Sequence, residues 1–170
     1  MAKHDFTAWS DSIRALLDEL ATQDFGYPLG VNEVRPPAAE LNAVPADLVE
    51  LYAAFDGMSL PDVHVGYFID SAHRVASAAQ RGEPTRIHGA YPRSIHVFGS
   101  DGGGGRFALD IENGAIYYLP SSGSVRDGVF FEDDVVQVHR IAGSILEFLR
   151  LLKADIAAFV RGDEIHKYMV

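Results

Sequence analysis

With 170 residues, 48% apolar and 22% charged, the chain is long and apolar enough for one globular domain and excludes a disordered segment. Its net charge of −10 is concentrated, with ten acids against three bases in residues 1–60 and seven against two in residues 99–134; this disfavours nucleic acid and anionic membranes and favours a basic protein partner. The lack of cysteine excludes disulfides, thiolate metal sites and a Cys nucleophile, and with no bilayer-length apolar run and no signal-peptide core behind Met1-Ala2-Lys3 a cytoplasmic protein is expected.

Phe6, Trp9, Ile13, Leu16, Leu17 and Leu20 recur at helical spacing and predict an amphipathic helix over about residues 5–22. Asp5 or Thr7 is the expected cap, and Gly26 and Pro28 lie beyond its end. Pro36-Pro37 limits Val31 to Pro37 to a short extended segment. Pro45 suits the first turn of a second helix carrying Leu48, Leu51, Tyr52 and Phe55, with Gly57 as its left-handed C-terminal cap. Val63 to Ile69 is a predicted strand. Residues 71–81 are a predicted short helix with Ala72, Val75 and Ala79 inward, and residues 81–93 are irregular.

Three strands are expected between Ile95 and Leu119, the last two joined at Asn113-Gly114. A polar loop follows over Pro120 to Gly128, then short strands at Val129 to Phe131 and Val135 to Val138. A helix capped by Ser144 closes the chain, with Ile145, Phe148, Leu149, Leu152, Ile156 and Phe159 along one stripe. No repeat or linker interrupts residues 1–170, so a single α+β domain is expected. Its sheet is largely antiparallel, of about five to six strands, with the N-terminal, middle and C-terminal helices on one face.

Gly102 to Gly105 have the composition of a phosphate loop, but such a loop needs a helix N-terminus behind it. Arg106 to Ile111 alternates as a strand instead, so the glycines are expected to join two strands. The seven histidines form no His-x-x-x-His or His-Glu-x-x-His spacing, and neither metal nor cofactor is assigned. His64 and His96, on predicted strands near Asp62 or Asp101, are the pair that a metal-dependent enzyme would use. Ser100 lacks the spacing of a nucleophile elbow, and Asp110 with Glu112 shows no cleft, so no catalytic residue is assigned.

Several motifs follow one another in a set order: Val44-Pro45-Ala46-Asp47-Leu48 at a helix start, Leu51-Tyr52, an Asp56-Gly57 stop and Val97 to Gly104. Phe107-Ala108-Leu109-Asp110, Gly114 to Tyr117 and the closing helix come next. In this order the chain resembles the SMI1/KNR4 family, also called the SUKH superfamily, over about residues 40–160 of a 1–170 domain. It departs at Asp56, where Asn is usual, and at Gly105, where Asp or Asn often ends the glycine run. The resemblance implies an α+β domain that binds protein without catalysis. Many bacterial members look like immunity proteins that cover and neutralise polymorphic toxins, and fungal relatives take part in cell-wall signalling. Asp101, Gly102, Gly103, Gly104 and Asp110 match the pattern as fold-forming positions, and no contact residue carries over.

The expected function is that of a cytoplasmic immunity or interaction protein. Its candidate partner-binding residues are Asp101, Glu112, Asp127, Glu132, Asp133 and Asp134, facing a basic, nuclease-like toxin domain that itself needs Lys and Arg to hold phosphates. Glu132-Asp133-Asp134 reads as a hairpin tip, and one residue of each pair Tyr117/Tyr118 and Phe130/Phe131 is expected to point outward. The alternatives are a small hydrolase or metal-dependent enzyme, and a scaffold that assembles through an apolar strand edge.

Overall fold

The computed structural model describes residues 3–89 and 92–163; Ala90 and Tyr91 of the irregular segment, and His166, lie outside these. Helix α1 (Lys3–Ala21) starts earlier than the spacing predicts, which puts Asp5 in its first turn, where a carboxylate suits the helix dipole. It buries Phe6, Trp9, Ile13, Leu16 and Leu20. Three further helices follow: α2 (Val49–Ala54), entered through a 3-10 turn at Ala46–Leu48, α3 (Ala72–Ala76) and α4 (Ile145–Val160). Trp9 joins three of the four. Its Nε1 donates to the Leu149 carbonyl of α4 at 2.7 Å, and its ring stacks on Phe55, just past α2, at 5.3 Å. A buried indole satisfied in this way contributes its full apolar area without an orphaned donor.

Ser144 caps α4 as expected. Its Oγ accepts from Glu147 N at 3.2 Å, while Glu147 Oε2 accepts from Gly143 N at 2.6 Å, the reciprocal logic of a capping box. Gly57 differs from expectation, because α2 already ends in extended Phe55. Gly57 does adopt φ 81, but a side chain there would overlap the Ile69 carbonyl. The glycine therefore permits two backbones to close together.

Ten strands form among the described residues, against the five to six expected. These are β1 (Glu33–Val34), β2 (Met58–Leu60), β3 (Tyr67–Ile69), β4 (Arg86–Ile87), β5 (Arg93–Asp101), β6 (Arg106–Asp110), β7 (Ile116–Leu119), β8 (Ser124–Arg126), β9 (Val129–Phe131) and β10 (His139–Ala142). The order β1-β2-β3-β5-β6-β7-β10 is antiparallel throughout. The long strand β5 has two neighbours on one edge. Its last residues pair with β3 and its first with β4, which runs parallel to β9, itself paired with β8.

Alternation along the central strands divides the core in two. Phe98, Phe107, Leu109 and Ile116 pack with α1, α2 and α4. Ile95, Val97, Ala108 and Leu119 point the other way and are covered by β4, β8 and β9, with Phe130 at the centre. Helices thus take one face, as expected, and a second layer of strand takes part of the other.

The unforeseen strands β2, β4 and β8 are two or three residues long, too short for any period to register. The predicted strand Val63 to Ile69 shrinks to β3, because Val63 is buried within a turn and His64 holds φ 52. Ala79 lies exposed on a 3-10 turn instead of facing inward. Asp127-Gly128, both with positive φ, form the two-residue turn of the β8–β9 hairpin inside the predicted polar loop. Val135 to Val138 is a loop, for a reason given below, and the strand there starts at His139.

Candidate functional site

The glycine run connects β5 to β6, as its alternating flank implies. All four of its amides are occupied. Gly102 N donates to the Gly66 carbonyl at 3.0 Å and Gly104 N to the Asp101 carbonyl at 3.3 Å. Gly103 N and Gly105 N both donate to Asp101 Oδ1, at 2.9 and 2.8 Å. No amide of the run is left to cradle a phosphate.

Asp101 itself is only 7% exposed, and its Oδ2 accepts from the Tyr118 hydroxyl at 2.7 Å. Burial, then the bond to Asp101 and its charge, push the Tyr118 phenol well above its ordinary range, so it stays a donor. The close approach of Tyr118 depends on Gly105, where a side chain would overlap the tyrosine ring and hydroxyl. Gly105 is therefore space for Tyr118. His139 completes this corner, its ring centroid 5.4 Å from that of Tyr118 and its Nε2 buried without a hydrogen-bond partner.

The six candidate acids lie on three connections, the glycine run with the 132–134 turn beside it, the β6–β7 turn and the β8–β9 turn. Asp101 and the 132–134 turn lie at the glycine-run end. A side chain on Gly104 would meet Ser121 Cβ at 3.3 Å, and Ser122 in turn bonds Asp133. Glu112 sits in the β6–β7 turn at the opposite end, and Asp127 in the β8–β9 turn, which leads back from the 120–123 segment. Glu112 is exposed, and Asp127 is held in a left-handed turn conformation. Asp101 and Glu112 therefore stand at opposite ends of β6.

At the glycine-run end, Glu132, Asp133 and Asp134 belong to a crossover from β9 to β10, and not to a hairpin tip. Asp133 Oδ1 accepts from Val135 N at 3.0 Å and Val136 N at 2.9 Å, and Glu132 Oε2 accepts from Val138 N at 2.7 Å. These bonds hold Asp133 below its ordinary value, Val136 N contributing most. They also occupy amides that a strand ladder would need, which is why Val135 to Val138 forms no strand. The loop presents Asp134 exposed, Val135 85% exposed and Val136 43% exposed.

Tyr117 and Tyr118 are each half-buried on opposite faces, Tyr117 beneath Arg93 at 4.9 Å. Arg93 also bonds Asp110, buried on β6, at 2.8 Å. Phe130 is fully buried and Phe131 half-buried beside His88, ring centroids 4.6 Å apart.

His64 and His96 have separate surroundings. His64 lies 4.9 Å from Phe159, ring to ring, with Nε2 3.1 Å from the Asp155 carbonyl. His96 lies on β5 beside Ile95 and Val97, where burial lowers its pKa against the opposing influence of Asp47. Among the described residues no three His, Asp or Glu side chains group as a metal site would require. Asp155 escaped the sequence reading. It is buried on α4 and accepts from Tyr67 Oη at 3.1 Å. An acid set between Leu152 and Ile156 on the apolar stripe was the available signal.

No protein-family model matches the chain, and no curated protein matches it. No helix among the described residues is long and apolar enough to cross a membrane.

Proposed function

We propose that this chain is a non-enzymatic protein-binding domain of the SMI1/KNR4 type, which acts in the cytoplasm as an immunity protein by covering a basic toxin domain. The observation that carries this reading is the 132–138 loop, an exposed Val135 flanked by carboxylates and fixed in place by Glu132 and Asp133. A preorganised loop binds without a large ordering cost. Exposed acids steer a cationic partner toward it, and burying Val135 contributes about 1.5 kcal/mol. The motif order that resembles the family, with its centre at the β5–β6 connection, supports the same reading.

The test compares immobilised parent chain with a Val135→Asp/Asp134→Lys variant on the same lysate, with retained proteins identified by mass spectrometry. A cationic protein held by the parent, released as salt rises and absent from the variant is the expected result. Association of the purified pair should then slow with ionic strength, and Val135→Asp alone should weaken it about tenfold. Identical retention by parent and variant, or binding indifferent to salt, removes the loop from the interface.

A further inference from the structure

A partly apolar recess lies between residues 38–45, ahead of α2, and α3 with the first half of β5. Two depressions of about 320 and 390 Å³ share Asn42, Ala43, Val44 and Ala76 in their linings and so adjoin as a two-part groove. Its walls carry small apolar side chains, Ala72, Val75, Ala76 and Ala79 on one side and Ala43 and Val44 on the other, beside polar Asn42 and Thr85. Side chains of that size leave room for larger apolar groups and let another backbone approach closely.

With His73 and His96 of its lining neutral, the formal charge around the groove is negative. Glu40 and Asp56 line it, and Asp47 stands near enough to influence His96 within it. Asp56 is engaged by Ala72 N at 2.7 Å, which leaves exposed Glu40 and Asp47 as the acids available to a ligand. Among the described residues that line it there is no Lys or Arg, and nearby Arg74 and Arg81 are both paired with Asp70.

We propose that this groove docks a cationic amphipathic helix of a partner protein, its apolar face seated between Ala43 and Ala76 and its Lys or Arg residues against Glu40 and Asp47. An apolar trough selects for a helix with one apolar stripe, and an acidic rim without cations selects for positive flanks. The surface is independent of the acidic loop, since no residue of 132–138 lines it.

Two synthetic peptides of about three helical turns test this, with the same Leu face and either Lys or Glu on the polar face. Fluorescence anisotropy against the full chain should show binding of the Lys peptide, weakened by salt, and none of the Glu peptide. Ala43→Arg, at an exposed loop position, should keep the circular dichroism of the parent and lower affinity at least about tenfold. Val135→Asp should leave peptide binding unchanged. Failure of the Lys peptide to bind, equal binding of both peptides, or full binding by Ala43→Arg would each overturn the proposal. Loss of binding in Val135→Asp would do so too, by moving the peptide to the acidic loop.

Discussion

At Gly105 the identity of one residue is set by another further along the chain. Tyr118 occupies the space a side chain would need, and its hydroxyl meets a buried carboxylate that also gathers two amides of the glycine run. Gly105→Ala should therefore destabilise the protein by about 1–3 kcal/mol through overpacking, measured by urea unfolding. In a Tyr118→Ala background the same substitution should cost much less, a coupling of about 1 kcal/mol or more. Strict additivity would show that Tyr118 is not what excludes the methyl group. Sequence spacing could place the glycines between two strands, because that inference is local. Gly105 registered only as a departure from the family's usual Asp or Asn, since its cause is a contact between residues brought together by the β6–β7 pairing.

The 132–138 segment carries the same lesson at the level of an element. Val135, Val136 and Val138 have strand-forming side chains, yet neighbouring carboxylates take their amides and hold a loop. Long helices and the strands β5 to β7 were legible because their patterns extend over enough residues. β2, β4 and β8 were not, and the Asp127-Gly128 turn that marks β8 was a readable signal set among polar neighbours. The loop's own chemistry is testable by pH. Asp133 is depressed mainly by the Val136 amide, so its stabilising effect is complete above the unfolded value of 3.8 and is lost as pH falls through the lower folded value. The Val135 and Val136 amide shifts in NMR spectra should titrate with a midpoint below 3.8. Asp133→Asn, which keeps an acceptor oxygen but no titrating proton, should abolish that titration. A midpoint above 3.8 would mean that the carboxylate is not held by these amides.

Across the whole molecule, β5 is the strand on which both cores depend. Phe98 on one face packs edge to face with Phe148 of α4, ring centroids 5.5 Å apart, while Ile95 and Val97 on the other belong with Phe130. The mixed helix and antiparallel-sheet character was legible from the order of periodic segments. The second core was not, because it is closed by the parallel pairing of β4 with β9, two short segments far apart in sequence. A shared strand makes the two cores one cooperative unit, since neither face of β5 can open without exposing the other's backbone pairing. Phe148→Ala and Phe130→Ala should each remove about 3–5 kcal/mol, both residues being fully buried. Each variant should still unfold in one transition, with fluorescence of Trp9, on the helix side, and far-ultraviolet circular dichroism coincident. An early transition in Phe130→Ala that leaves Trp9 fluorescence unchanged would instead show that the β4-β9-β8 layer unfolds by itself, with β5 to β7 stable under the helices alone.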